Sequence, residues 1–182
     1  MPNTRFAKNT KIDTYTFSLF ELAKKISKTA ENYTKEYFIG GGLAIDLYVG
    51  KVTRNHHDID FHPMLDDYEW WKSWFVENGY KIDEPASDSY PETCKVLDKD
   101  CQEIVDMWPF KLTNGVLEIN KEGKYVDAHR KWYENETVEF EGIKIRIENP
   151  LRVLDQKKRH FKEGQDLRIQ DKHDFEVLGK YY

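Results

Sequence analysis

Tyr37-Phe38-Ile39-Gly40-Gly41-Gly42-Leu43-Ala44-Ile45-Asp46-Leu47-Tyr48-Val49-Gly50 is the stretch on which the fold reading turns. Its first three residues are apolar and read as a short buried strand. Leu43 to Val49 reads as a helix stopped by Gly50. Between them, glycines without a Cβ let the backbone take positive φ and approach a ligand closely. A helix that starts just after them points unpaired N–H groups outward, so a triphosphate can sit there. A tight strand-to-helix turn with no ligand would use the same residues, so the glycines alone do not decide.

The next stretch, Asp58-Ile59-Asp60-Phe61-His62, alternates polar and apolar as a half-buried strand does, and Pro63 ends it. On a strand, Asp58 and Asp60 fall on one face about 7 Å apart. Magnesium takes oxygen ligands and uses one or two carboxylates, leaving positions for waters and phosphates. Two such carboxylates hold one ion, or bridge two that lie about 3.5 to 4 Å apart. The sequence supplies its own control in Asp98-Lys99-Asp100, which has the same spacing but reads as the polar turn of a hairpin between Cys94–Leu97 and Glu103–Trp108. The third acidic residue is Asp106, set in Ile104-Val105-Asp106-Met107-Trp108. A carboxylate in an apolar strand is costly unless a metal, a substrate proton or a buried arginine compensates it.

Outward from this centre, Thr14 to Asn32 carries apolar residues at helical spacing, as does Asp67 to Asn78, whose tryptophans read as core. Asp83 to Glu92, with Pro85 and Pro91, reads as an acidic loop, either simply solvated or attracting a cationic acceptor. Short β segments run to Ile147. A helix opens at Asn149 or Pro150 and reaches about Lys162, and a last one spans about Ile169 to Leu178. The order describes a mixed α/β or α+β domain with a helical tail.

The chain has 182 residues, enough for one compact domain and one active site. Its 39% hydrophobic content supports a packed core. A net charge of −5 argues against broad binding to a nucleic-acid backbone. The basic run Lys157, Lys158, Arg159, His160 and Lys162 reads as a solvated helix face or a local patch. Cys94 and Cys101 match no zinc or redox spacing and read as free thiols in a reducing cytoplasm. With no long apolar run and a polar start from Met1 to Lys11, the expectation is a soluble cytoplasmic protein without membrane association.

Taken jointly, Gly41-Gly42, Ala44-Ile45-Asp46, Thr53-Arg54, His56-His57-Asp58-Ile59-Asp60 and Val105-Asp106-Met107-Trp108-Pro109 resemble the small antibiotic nucleotidyltransferases. These are the aminoglycoside 2''- and lincosamide nucleotidyltransferases of the polymerase-β-like superfamily. The resemblance covers Tyr37 to Phe110 well. It extends loosely to Leu154, Lys157, Arg168, Asp171 and Asp174, and Lys111 to Glu148 matches nothing recognisable. Gly40 stands where relatives often carry a polar residue, and Leu43 where they carry serine or tryptophan. His57 and His62 receive no role.

The resemblance implies a polymerase-β-like core over residues 1–110, with a mixed sheet flanked by helices. A β-rich extension and C-terminal helices over 111–182 would pack on it as one unit. It implies that Asp58, Asp60 and Asp106 ligate metal, two Mg2+ ions, with Asp106 as general base. Gly41 and Gly42 would line the triphosphate, Arg54 and His56 would orient the acidic pair or touch phosphate, and Lys157 would touch phosphate or lie on the surface. The implied reaction moves a nucleoside monophosphate, AMP from ATP or another NTP, to a hydroxyl of an aminoglycoside- or lincosamide-like acceptor, releasing pyrophosphate. The alternatives are an acceptor hydroxyl on tRNA or protein, and a non-catalytic nucleotide-binding module. A metal-dependent phosphohydrolase would carry more histidine ligands. The aromatic-rich segment Trp108 to Tyr133 admits a homodimer.

Overall fold

In the computed structural model, which describes residues 11–84, 88–128, 136–162 and 166–180, the chain folds around a mixed five-stranded sheet. The polar start before Lys11, Pro85 in the acidic loop, the end of the aromatic-rich segment and the side chains of His160 and Lys162 lie outside the described residues.

Helix α1 (Thr14–Tyr33) begins where the Asp13 side chain accepts from Thr16 N, and ends at Thr34 in the left-handed conformation. Its Leu19, Phe20, Ala23, Ile26 and Ala30 form the stripe that faces the core. Strand β1 (Tyr37–Ile39) is buried throughout and leads into α2 (Gly41–Val49), capped at its C-terminus by Gly50 at φ 72°. The helix therefore starts earlier than Leu43: Gly41 and Gly42 are its first turn, and Gly40 is its N-cap.

Strand β2 (Ile59–Pro63) follows, then a 3₁₀ turn (Leu65–Asp67) and α3 (Tyr68–Glu77). Trp71 and Phe75 of α3 are fully buried, and Trp71 meets Phe61 edge-on at 5.0 Å, so that tryptophan belongs to the core. Each such aromatic contributes on the order of 1.5–3 kcal/mol by burial. Lys81–Asp83, the end of which reads as loop from sequence, forms the edge strand β3. β4 (Cys94–Leu97) and β5 (Glu103–Met107) are the expected hairpin, with Asp98-Lys99-Asp100 in its turn.

The sheet order is β1-β2-β5-β4-β3, with β2 and β5 parallel and the other pairs antiparallel. The parallel pair at the centre sets Asp60 opposite Asp106. The extension adds a three-stranded sheet of β6 (Lys111–Thr113), β7 (Val116–Lys121) and β8 (Lys124–Asp127). The hairpin of β9 (Thr137–Phe140) and β10 (Ile143–Arg146) is bridged to β1 through Ile147 and Ile39. Helices α4 (Pro150–Lys162) and α5 (Ile169–Leu178) close the chain, with Val153, Leu154, Val177 and Leu178 packed on Ile45 of α2. No described helix is long and apolar enough to cross a membrane.

Candidate active site

Every residue singled out from sequence lines one cleft of about 770 Å³: Gly41, Gly42, Arg54, His56, Asp58, Asp60, Asp106 and Lys157. A cleft of this size accommodates a nucleotide and part of a second ligand.

Its acidic floor comes from the central strands. Asp58 stands one residue before β2, Asp60 lies within it, and Asp106 is the Cα partner of Asp60 on β5. Parallel neighbours lie about 4.8 Å apart, so three carboxylates share a small region. Burial pushes the Asp60 carboxyl up to about 7, reinforced by the charges of Asp58, Asp106 and Glu148. Asp106 is pushed up to about 6, again chiefly by burial and opposed by a hydrogen bond from the Trp108 side chain. Asp58 is raised for the same leading reason.

Oδ1 of Asp106 is buried with no hydrogen-bond partner among the described residues. A charged oxygen left so is costly unless a cation or a proton meets it; Lys95, the register partner of Asp106 on β4, lowers its carboxyl, while the charges of Glu103 and Asp58 raise it. Among the described residues, no three His, Cys, Asp or Glu side chains close on one point as a ready-made metal cage. An open carboxylate set is what magnesium uses when substrate phosphates provide its other oxygens. The donor chemistry therefore fits magnesium with nucleotide.

The glycines give the floor its shape. Gly41 has φ +60°, and a Cβ built on it would stand 1.7 Å from Asp60 Oδ2; one on Gly42 would stand 1.7 Å from a terminal nitrogen of Arg54. Gly40 N donates to Asp60 O at 2.8 Å, so the turn is tied to β2 by its backbone as well. Gly40 makes room for His62 Nε2 and Glu148 Oε2, each closer than 3 Å to where its Cβ would be.

Basic residues line the same cleft. Arg54 donates from Nε and Nη2 to the two oxygens of Asp174 at 2.8 and 3.1 Å, a bidentate pair anchored on α5. Lys157 Nζ lies 2.5 Å from Asp171 and 3.2 Å from Asp174, and Arg168 forks onto Asp171. Lys157 is 9% exposed, so it is neither a surface lysine nor a free one. Arg159 also lines the cleft, while Lys158 stacks over Phe175, so the basic run is divided between cleft and helix packing. His56 contributes to the cleft wall, but its ring Nε2 faces the buried Asp46 at 2.8 Å.

Glu148 was not legible beforehand. Its carboxylate, 1% exposed, accepts from Gly41 N at 3.4 Å and pairs with Arg152. It precedes a helix-opening Asn-Pro, and no spacing in the sequence links it to the glycines. The third side of the cleft is aromatic and aliphatic: Tyr90 meets Trp108 edge-on at 4.9 Å, with Ile119 and Val126 of the extension nearby. Among the described residues of the acidic loop, Tyr90 alone lines the cleft; Glu84 pairs with Lys72, and Glu92 accepts from Tyr125.

The same architecture occurs in solved structures. The lincomycin-bound lincosamide antibiotic adenylyltransferase LnuA superposes with a TM-score of 0.70 at 22% identity, covering 96% of this chain and all of its own. ANT(2'')-Ia in complex with adenylyl-2''-tobramycin gives 0.68 at 18% identity, over 92% of this chain and 91% of its own. An antigenic nucleotidyltransferase-like protein from Paracoccidioides brasiliensis gives 0.54 at 14%, over 93% and 78%. At these identities the likeness shows the fold, a nucleotidyltransferase fold with a mixed sheet and helices. No curated protein matches the chain by sequence. The profile of the aminoglycoside-2''-adenylyltransferase family matches residues 22–178, nearly the whole chain including the cleft and both of its charged walls. The chain belongs to the aminoglycoside-2''-adenylyltransferase family and is a nucleotidyltransferase.

Proposed function

We propose that the protein transfers AMP from ATP, with magnesium, to a hydroxyl of an aminoglycoside or lincosamide antibiotic and releases pyrophosphate. The observation that carries this reading is the in-register pair Asp60 and Asp106, beside a glycine turn, with a buried oxygen of Asp106 that has no hydrogen-bond partner among the described residues.

Asp58, Asp60 and Asp106 would hold the magnesium ions, whose charge offsets that of the triphosphate and polarises the α-phosphoryl oxygens. Gly41 and Gly42 present the N-terminus of α2 to the phosphates. The basic wall of Arg54, Lys157 and Arg168 faces the same space, its charge already partly balanced by Asp171 and Asp174. Asp106, the register partner of Asp60 on β5, would take the proton of an acceptor hydroxyl. The hydroxyl oxygen then bonds to the α-phosphorus as the bond to pyrophosphate breaks. Tyr90 and Trp108, packed edge to face, offer aromatic contact for the acceptor.

The test is transfer of label from ATP to a panel of aminoglycosides, lincosamides, tRNA and proteins. Label is expected on one antibiotic class, and Asp106→Asn should lose transfer by about 10²–10⁴-fold while still binding ATP with magnesium. Label on tRNA or protein would replace the acceptor reading, and wild-type turnover in the variant would remove Asp106 as the base.

A further inference from the structure

Asp46 stands on α2 and does not line the cleft, yet its carboxylate is fully buried. A buried carboxylate is tolerated when its oxygens are met, and three donors converge on this one. Oδ2 accepts from Thr53 N at 2.8 Å and faces His56 Nε2 at 2.8 Å, and Oδ1 accepts from Thr53 Oγ1 at 2.5 Å.

The segment so gripped, Thr53 to His56, lies in neither helix nor strand, and its shape is set from outside. His56 N donates to Thr16 Oγ1 of α1 at 2.9 Å, and Thr53 Oγ1 also meets His173 Nε2 of α5 at 3.0 Å. Asn55 Oδ1 accepts from Asp13 N at 3.0 Å. Just beyond, the chain delivers Asp58 to the acidic floor, ahead of the first hydrogen-bonded residue of β2. With no sheet pairing of its own, Asp58 takes its position from the segment before it.

We propose that Asp46 is a positioning residue, which through His56 and Thr53 fixes where the Asp58 carboxylate meets the metal. The inference rests on the metal reading of Asp58 given above. His56 by this account acts on Asp58 and not on phosphate. Residues that orient ligands without touching the ion commonly govern metal affinity and activity by 10- to 100-fold.

The test compares Asp46→Asn, His56→Leu and His56→Gln, each checked for folding by thermal unfolding. Mn2+ is titrated with a non-hydrolysable ATP analogue present, and free Mn2+ is read by electron paramagnetic resonance. Affinity is expected to fall about 10-fold or more in Asp46→Asn and His56→Leu. The magnesium concentration for half-maximal transfer should rise in parallel while acceptor KM holds. His56→Gln, whose amide still donates to Asp46, should recover most of the loss. Wild-type Mn2+ affinity in folded His56→Leu overturns the inference alone, and so does a loss in His56→Gln equal to that in His56→Leu. Should Asp46→Asn not fold, the two His56 variants decide. Wild-type transfer that needs no divalent ion overturns the metal reading and the inference with it.

Discussion

Asp60 Oδ2 occupies the space that a side chain on Gly41 would need, 1.7 Å from where its Cβ would be. The relationship joins two features that a sequence presents separately, a glycine turn and an acidic strand. The turn at φ +60° lets the helix start pass directly over the carboxylate, so phosphate bound at the N–H groups and a cation bound at Asp60 would be neighbours. Gly42 repeats the relationship with Arg54, whose guanidinium fills the corresponding space.

Gly41→Ala is therefore expected to disable the site more than the fold. Holding alanine in the left-handed region costs about 1–2 kcal/mol, a modest loss of thermal stability. The Cβ must also displace the Asp60 carboxylate, and the resulting misplacement should lower kcat/KM by about 100-fold. Initial rates and a thermal melt of the same preparation measure both effects. Turnover equal to wild type would show that Asp60 is free to move and that its contact with the turn is incidental.

The elevated Asp60 carboxyl predicts an inverted pH profile for the metal-free protein. The unfolded chain releases this proton near 3.8, whereas the folded chain holds it up to about 7. Across that window the native state binds the extra proton, so this group's contribution to stability falls as pH rises. Melting temperatures in EDTA should accordingly decline from pH 5 to pH 7.5, and Asp60→Asn should flatten the decline. Magnesium with a non-hydrolysable ATP analogue should raise the melting temperature more at pH 7.5 than at pH 5, because the ligand competes with the proton. A stabilisation by magnesium and analogue that is the same at both pH values would contradict the crowding of carboxylates.

The acidic floor was legible because its signal is local. The alternation Asp58-Ile59-Asp60-Phe61 marks a strand that holds Asp60, with Asp58 one residue ahead of it, and an acidic residue in an apolar strand, Asp106, stands out against its neighbours. Their adjacency depends on β2 pairing with β5 in parallel, which the residues themselves do not specify. Glu148 escaped, and Asp46, part of the quoted motif, received no role, for the complementary reason. Each is one acidic residue among many in a chain with 33, and what distinguishes it is burial against distant partners. Gly41 and Gly42 were read as a loop before a helix, because glycine is a poor helix former. Here they form the first turn, where the helix N-terminus is needed against Asp60 and Arg54. For Lys157 the sequence leaves a phosphate contact and a surface position equally open, and the pairing that holds it and Arg54 comes from α5 and is visible only in the fold.

That pairing makes Asp174 the most sensitive residue of the C-terminal helix. It is 1% exposed and is shared by Arg54, in bidentate contact, and Lys157. Removing one partner of a buried ion pair leaves charge uncompensated and costs about 3–5 kcal/mol, so Asp174→Ala should lower the melting temperature substantially. Asp174→Asn keeps the shape and one acceptor oxygen, and should cost less. The neighbouring Asp171 is held below the usual carboxylate range: burial opposes this, but the hydrogen bonds from Arg168 and Lys157 outweigh it. Because its folded pKa is depressed, its stabilising contribution is present above the unfolded value of 3.8 and fades as pH falls below it. The stability cost of Asp171→Asn should thus be largest at neutral pH and shrink toward pH 3. Urea unfolding of the three variants at pH 7 and pH 3.5 would measure this. A cost of Asp171→Asn that does not shrink toward pH 3.5 would mean that its pairing with Lys157 and Arg168 does not stabilise the fold.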